Sequence, residues 1–115
     1  KATLQQANAA ILHGDTEGFL AHCTDDVQWT TVGEPTLHGK DAVRRWMAAA
    51  YRHPPEFTVA RMIAEDDTVV ALGSITTRGN DGRPQHHAYS DVWRFREGKM
   101  ASLEAFVVAV PTPDA

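Results

Sequence analysis

The sequence predicts an α+β fold in which helices come first and a long, mainly antiparallel sheet follows. In the first half, apolar residues recur at helical spacing, whereas the second half consists of alternating runs separated by short turn sequences. The chain has 115 residues, 43% of them hydrophobic, so it can bury a core without disulfide bonds. We expect a single domain over residues 1–115, whose helices cover one face of a curved sheet and leave a cavity between the layers.

Two short helices open the predicted fold. The first covers residues 2–13 and ends at Gly14, a residue typical of helix C-termini. Asp15 then caps a second helix, because a short acidic side chain accepts hydrogen bonds from the first free backbone amides. The apolar stripe of that helix consists of Phe19, Leu20 and Cys23. The acidic residues 25–26 that follow are interpreted as a solvated turn.

A short strand and a third helix come next. Alternation at Val27, Trp29 and Thr31 predicts the first strand, and the loop 33–39 leads to a helix over residues 40–52. The apolar stripe of this helix has the spacing i, i+3, i+4, i+7, i+8. It is formed by Val43, Trp46, Met47, Ala50 and Tyr51. The prolines at 54 and 55 end the helix.

Four strands complete the predicted sheet. They cover residues 57–65, 68–77, 85–96 and 99 to about 110. The connections at 66–67, 79–82 and 97–98 are short and rich in Gly, Asp and Asn, which favours tight turns. These strands are therefore predicted to form an antiparallel meander.

The strand over residues 85–96 holds the main functional candidate. Residues two apart share a strand face, so His87, Tyr89, Asp91, Trp93 and Phe95 project in one direction. A carboxyl group between aromatic rings costs desolvation, which predicts that it lies on a pocket floor and is used there. Burial would raise its pKa towards the range useful for proton transfer. The structural alternative is an acid satisfied by tyrosine or backbone donors.

Tyr89 is the second catalytic candidate, because same-face neighbours on a strand lie about 7 Å apart and it can border the same pocket. His87 lies farther along and is expected at the mouth. Further candidates for contact with a bound molecule share the inner sheet face or the third helix. They are Trp29, Thr31, Trp46, Met47, Gly73, Ile75, His87, Trp93, Leu103 and Ala105.

Alternatives apply to several of these residues. Core packing explains Trp29 at least as well, and side chains on a helical stripe such as Trp46 and Met47 more often belong to the core. Gly73 either leaves room for a ligand or marks a bulge that bends the sheet. Thr31 can hydrogen-bond a ligand oxygen.

Composition excludes several classes of protein. The net charge of −4 argues against nucleic acid as a partner, and no apolar run has the length of a membrane span. The only cysteine, Cys23, has no partner for an internal disulfide, and no secretory signal opens the sequence, so a cytoplasmic protein is expected. Adjacent strand residues point to opposite faces, so His86 and His87 do not form a metal site. With no phosphate-binding loop or nucleotide fingerprint, no cofactor is expected.

The order of these motifs carries a resemblance to a known family. They are, in sequence, the Gly14-Asp15 turn between helices, Asp25 to Trp29, the loop 33–39, Val43 and Trp46 of the third helix, Ser90 to Phe95, and Gly98-Lys99. Over nearly the whole chain this order resembles the nuclear transport factor 2-like superfamily, most closely its ketosteroid isomerase and SnoaL-like cyclase branch. The resemblance implies a cone-shaped fold that hosts isomerases, cyclases, epoxide hydrolases, dehydratases and non-catalytic binders.

The resemblance also implies which residues to compare. Ketosteroid isomerases need a carboxylate base on the first strand, a tyrosine on the first helix and a protonated acid on the penultimate strand. Asp91 matches the last, but the base position falls on Thr30 or Thr31 and the tyrosine position falls near Ala7. Ketosteroid isomerase activity is therefore not expected. The SnoaL-like cyclases place their acid/base residue at the position of Asp91, whereas no inward arginine and second aspartate match an epoxide hydrolase.

These observations predict a cofactor-free acid/base enzyme of isomerase, cyclase or lyase type that acts on a small apolar hydroxy or keto compound. In this hypothesis Asp91 moves a proton while Tyr89 and Thr31 orient a substrate oxygen. The alternatives are a non-catalytic ligand-binding domain and a dimerisation module whose cone is filled by side chains. A homodimer is expected through the outer sheet face, where Val92, Phe106 and Val108 form an apolar surface.

Overall fold

The computed structural model describes residues 2–50, 56–78 and 83–110. Within them the α+β architecture is confirmed, with the helices near the N-terminus and one six-stranded sheet. The elements are, in chain order, α1 (Ala2–Leu12), α2 (Thr16–Leu20), β1 (Cys23–Thr31), β2 (Leu37–His38), α3 (Gly39–Ala50), β3 (Glu56–Glu65), β4 (Thr68–Arg78), β5 (Pro84–Arg96) and β6 (Lys99–Ala109).

The sheet has the strand order β2-β1-β6-β5-β4-β3. Strands β3 to β6 pair antiparallel with their sequence neighbours, as the short turns predict. Strand β1 lies parallel to β6, so the first and last strands of the chain are adjacent. Strand β2 is a two-residue strand that the sequence does not predict, and it pairs with β1. The sheet therefore presents one continuous inner face to the helices.

Local sequence explains how the helices and the last hairpin are positioned. Gly14 takes a left-handed φ of 72° after α1, and the Asp15 side chain accepts a 2.9 Å hydrogen bond from the Gly18 amide at the start of α2. Between β5 and β6, Glu97 and Gly98 have φ values of 52° and 80°. Two successive positive φ values are the signature of the two-residue hairpin turn that suits the twist of a sheet.

The prediction that Cys23 extends the second helix is wrong. Helix α2 ends at Leu20 and Cys23 begins β1, because the Met100 amide of β6 donates a 2.8 Å hydrogen bond to the His22 carbonyl and draws the chain into the sheet. Asp25 and Asp26 likewise lie in a strand rather than a turn. They occupy an irregular stretch of the β1–β6 pairing and are exposed, as predicted.

Helix α3 covers the inner face of the sheet near β1. Val43 and Met47 are buried, Trp46 is partly buried and Ala50 is exposed. The predicted continuation of this helix over residues 51–52, its end at the two prolines, and the predicted turn at 79–82 lie outside the described residues.

The core lies at one end of the inner face, where α1, α2 and α3 meet β1, β5 and β6. Its largest fully buried side chains are Phe19, Leu4, Leu20, Met47, Met100, Leu103, Val27, Val43 and Cys23. Phe19 lies edge-on to Trp29 and Trp93, with ring centroids 5.9 and 6.1 Å away. This aromatic packing closes one end of the layer between helices and sheet.

The outer face of the sheet carries apolar residues without a covering layer among the described residues. Ile63, Phe106 and Val108 are 44%, 44% and 63% exposed. The homodimer through this face stays a prediction, which light scattering over a range of concentrations tests. Among the helices that the structure describes, none is long and apolar enough to cross a membrane.

Candidate active site

A cavity of about 500 Å³ opens between the helices and the inner face of the sheet. Strands β1, β4, β5 and β6 form its floor, and α1 and α3 contribute Ile11, Trp46 and Ala50 to its walls. Most of the lining side chains are apolar or aromatic. A cavity of this size and character fits a small organic molecule.

Strand β5 supplies the centre of the floor. His87, Tyr89, Asp91 and Trp93 all line the cavity, as their shared strand face predicts. Across the sheet, Asp91 pairs with Ala71 on β4 and with Ala105 on β6. Because both neighbours end at Cβ, the space above the carboxyl group stays open to the cavity.

Burial in this apolar setting raises the pKa of the Asp91 carboxyl group to about 7. Burial is the only contribution to the shift, so no charged group or hydrogen-bond donor among the described residues offsets the desolvation. Near neutral pH the group is thus divided between its protonated and ionised forms. It can donate a proton in the first form and accept one in the second.

Tyr89 lines the cavity, and its hydroxyl group also reaches across the sheet. Its hydroxyl donates a 3.2 Å hydrogen bond to the Thr58 carbonyl of β3, two strands away. Burial, followed by the charge of Asp91, raises its pKa to about 12. The hydroxyl therefore keeps its proton, uses it within the sheet and offers a ligand only its oxygen lone pairs.

Gly73 makes this reach possible. It lies on β4 directly between Tyr89 and β3, and an added Cβ would come within 1.9 Å of the Thr58 carbonyl oxygen and 2.9 Å of the Tyr89 hydroxyl. The β3–β4 register also shifts beside it, between Val59 and Arg61. Of the two interpretations from sequence, the irregular sheet matches the structure, and Gly73 itself does not line the cavity.

Three tryptophans form the closed end of the cavity. The Trp29 ring lies 5.3 Å from Trp46 and 5.9 Å from Trp93, centroid to centroid. The side chain of Trp29 is buried, and its indole Nε1 donor has no hydrogen-bond partner. These rings give a bound molecule an extended apolar surface next to Asp91.

The structure brings together nearly all the residues that the strand faces single out. The residues that line the cavity are Trp29, Thr31, Trp46, Ile75, His87, Tyr89, Asp91, Trp93, Leu103 and Ala105. Met47 does not, because its position on α3 turns it into the core, where it is 2% exposed. This location agrees with the core-packing alternative for Met47.

Several lining residues escape the sequence reasoning. They are Asn8, Ile11, Val32, Glu34, Ala50, Phe57, Thr77, Val107 and Ala109. Val107 and Ala109 continue the period-two pattern of Leu103 and Ala105, so that pattern could have found them. Glu34 lies in a loop without periodicity, and no signal in the sequence marks it.

The first strand offers no base at its inner end. Thr30 shares a 2.7 Å hydrogen bond with Thr36, hydroxyl to hydroxyl, while Thr31 lines the cavity. Threonine hydroxyl groups do not titrate near neutral pH, so neither can act as a general base. Among the residues that the structure describes, no cluster of three or more His, Cys, Asp or Glu side chains could hold a metal ion.

Comparison with known proteins agrees with this architecture. The SnoaL-like domain matches residues 4–103. A search of curated proteins found no match. A solved NTF2-like protein of unknown function from Burkholderia pseudomallei superposes with a TM-score of 0.81 at 24% identity, covering 90% of this chain and 86% of that one.

Two further solved structures share the fold. The Δ5-3-ketosteroid isomerase of a Mycobacterium species has a TM-score of 0.83 at 17% identity, over 95% of this chain and 96% of that one. TerC, co-crystallised with polyporic acid, has a TM-score of 0.81 at 19% identity, over 91% and 88%. The resemblance inferred from the motifs is confirmed: this chain belongs to the SnoaL-like domain family and has the nuclear transport factor 2-like fold.

Proposed function

We propose that this protein binds a small, mostly apolar hydroxy or keto compound in its cavity and performs cofactor-free acid/base chemistry on it, of isomerase, cyclase or lyase type. The observation that carries the proposal is the Asp91 carboxyl group, which lies on the floor of the cavity with a pKa raised to about 7. A group that titrates near the working pH is suited to give and take protons in one turnover.

The surroundings of Asp91 support this role. Ala71 and Ala105 leave room for a ligand directly over the carboxyl group, while Trp93 on the same strand is 3% exposed and excludes water on one side. Titratable groups whose pKa is shifted by burial within a cleft are often functional. A purely structural acid would be expected to have a hydrogen-bond donor to satisfy it.

Polar groups around Asp91 would orient the substrate. The Thr31 hydroxyl, in the same row of the sheet, can donate to or accept from a substrate oxygen. The Tyr89 oxygen, whose proton is already shared with the Thr58 carbonyl, would accept a hydrogen bond from a substrate hydroxyl. These two groups fit a substrate that carries both a carbonyl and a hydroxyl group.

The second candidate function is non-catalytic binding of the same class of molecule. One specific observation favours it: Thr30 and Thr31 occupy the inner end of β1, where ketosteroid isomerases carry their base. Turnover distinguishes the two functions, since both require an occupied cavity.

The test is a thermal-shift screen of wild type and Asp91→Asn against a Δ5-3-ketosteroid, polyporic acid, simple phenols and cyclic hydroxyketones. A molecule that binds only the folded state at 100 times its Kd adds about 2.7 kcal/mol, which raises Tm by several degrees. We expect at least one compound to shift wild type and to shift Asp91→Asn differently. Asp67→Asn, in the exposed turn between β3 and β4, is the matched control.

Compounds that bind are then incubated with the protein and followed for conversion between pH 5 and 9. Conversion that requires Asp91 and changes around pH 7 supports the enzyme. Binding without conversion of any compound would contradict catalysis and favour the second candidate. If no compound shifts either protein, the cavity does not accept this chemical class and the proposal fails.

A further inference from the structure

A second carboxyl group borders the cavity, on the turn that follows β1. Glu34 lines the cavity and is exposed to solvent. Its amide donates a 2.9 Å hydrogen bond to the Thr31 carbonyl, and Gly33 takes a left-handed φ of 98° within the same turn. The turn therefore directs the chain back over the cavity rim instead of away from the sheet.

The backbone fixes this turn close to Asp91. The Val32 amide donates a 2.9 Å hydrogen bond to the carbonyl of Ala105, and Ala105 is the direct cross-strand neighbour of both Thr31 and Asp91. Since adjacent strands lie about 4.8 Å apart, the backbones of Thr31 and Asp91 are about 10 Å apart. A small molecule above Ala105 would thus have one carboxyl group beneath it and the other at its edge.

The two carboxyl groups differ in environment. Asp91 is partly buried among apolar side chains, whereas Glu34 faces water. The other titratable groups that line the cavity are His87 and Tyr89, and no lysine or arginine is found among the lining residues that the structure describes. Two carboxyl groups in contrasting environments divide naturally into one acid and one base.

We propose that Glu34 is a second catalytic residue, the base that the inner end of β1 lacks, and that it works with Asp91 on a substrate carbonyl compound. This inference rests on the proposed function. The Glu34 carboxylate takes a proton from the carbon next to the carbonyl group while protonated Asp91 donates its proton to the carbonyl oxygen, giving an enol. Where that carbon carries a hydroxyl group, the enol is an enediol. Glu34 then returns its proton to the former carbonyl carbon, the neighbouring hydroxyl group gives its proton to Asp91, and the C=C bond is replaced by a new carbonyl group, which completes an isomerisation with no net change in protons or electrons.

The test uses 5-nitrobenzisoxazole, a probe that reports a base in the cavity without knowledge of the substrate. A base removes its ring C–H proton, the released electron pair forms a nitrile, and the N–O bond breaks to give a coloured nitrophenolate. Rates are measured at pH 5.5, where Asp91 is mostly protonated and cannot act as the base, and at pH 8.5, where Asp91 is ionised. The variants are Glu34→Gln, Glu34→Asp and Asp91→Asn, with Glu104→Gln on the opposite sheet face as the control.

At pH 5.5 we expect wild type and Glu104→Gln to react alike and faster than acetate at equal concentration. Glu34→Gln should lose about 100-fold or more in kcat/KM, and Glu34→Asp should retain an intermediate rate. An unchanged rate in Glu34→Gln at pH 5.5, or a wild-type rate equal to that of acetate, would overturn the inference.

The reaction rate above pH 7 tests the proposed function separately. The rate should rise through pH 7 as Asp91 ionises, and Asp91→Asn should lose this rise. Loss of the rise in Asp91→Asn combined with an unchanged Glu34→Gln refutes Glu34 alone. A rise that persists in Asp91→Asn counts against Asp91 as the group that ionises.

Discussion

Two neighbouring rows of residues on the inner sheet face differ in side-chain size and polarity. One row packs into the core and forms an end wall of the cavity, while the other leaves the cavity open. The first row crosses four strands with large apolar side chains, which are buried: Val69, Trp93, Leu103 and Trp29. The second row lies two residues along the same strands and carries small or polar side chains: Ala71, Asp91, Ala105 and Thr31.

The difference shows how this fold prepares a carboxyl group for proton transfer. The backbone pairing is the same in both rows, so side-chain volume decides whether the layer beneath the helices is filled. The large side chains of the first row keep water away from one side of Asp91. The small side chains beside Asp91 in the second row leave its other side open to a ligand. The raised pKa of Asp91 follows from its position at this boundary.

The largest expected loss of stability comes from shortening a large side chain of the first row. Trp93→Ala should lower the free energy of unfolding by about 3–5 kcal/mol, because it leaves a large void against Phe19 and Trp29. Urea denaturation measures this loss. Val107→Ala, on the same face beside the cavity and already 41% exposed, should cost less than about 1 kcal/mol. Equal losses of stability in the two variants would show that the first row is packed no more tightly than the cavity wall.

The next largest effect is the pH dependence of stability that Asp91 causes at the boundary between the two rows. An aspartate titrates near 3.9 when unfolded, and Asp91 titrates at about 7 when folded, so the folded state holds the proton more tightly. The stability from this group is complete below about pH 4 and is lost as pH rises through 7. Asp91→Asn should therefore gain up to roughly 4 kcal/mol relative to wild type between pH 4 and 8.5.

Chemical denaturation across that pH range checks this prediction. Asp67→Asn, in an exposed turn, is the control and should run parallel to wild type. A constant difference between Asp91→Asn and wild type at all pH values would mean that the Asp91 carboxyl group is not desolvated.

A smaller effect on stability is expected at Gly73, which lies on β4 two residues beyond Ala71 and pairs with β3. Gly73→Ala places a methyl group against the Thr58 carbonyl and the Tyr89 hydroxyl, which should cost about 1–3 kcal/mol as the strands move apart. Thermal unfolding measures the loss. A neutral result would mean that β3 can shift freely over β4 at this point.

The smallest effect concerns the hydroxyl of Tyr89. Tyr89→Phe removes its hydrogen bond to the Thr58 carbonyl and should cost about 1 kcal/mol. Because Gly73→Ala disturbs the same contact, the double variant should lose less than the sum of the two single losses. Strict additivity in this cycle would indicate that the two residues act independently.

The sequence predicts which residues of one strand share a face, but it does not predict which residues of distant strands lie side by side in a row. The alternation His87, Tyr89, Asp91, Trp93 follows from period two. The turn at Glu97-Gly98 fixes only the first pairs of β5 with β6, because the register shifts between Arg94 and Phe95. The parallel pairing of β1 with β6 joins residues more than 70 positions apart, and no local pattern encodes it. The start of β1 at Cys23 depends on that same distant pairing.

Some residues of the candidate site can likewise be recognised from the local sequence, whereas others are recognised only in the folded structure. Asp91 stands out because an acid interrupts an aromatic strand face, which is a local conflict visible in the sequence. Glu34 does not stand out, because a glutamate in a polar loop is ordinary until the turn is seen to lie against Ala105. Met47 on the helical stripe is more often core than cavity wall, and the packing of α3 agrees with the core.

The chain contains three tryptophans, and all three line the cavity. Indole emission shifts in wavelength and intensity with the polarity around the ring, and all the tryptophan fluorescence of this protein originates from the walls of its candidate site. A molecule entering the cavity would replace water near Trp46 and contact Trp93 beside Asp91. The unlabelled protein thus carries its own optical sensor of occupancy, which can follow the arrival and departure of a ligand in real time.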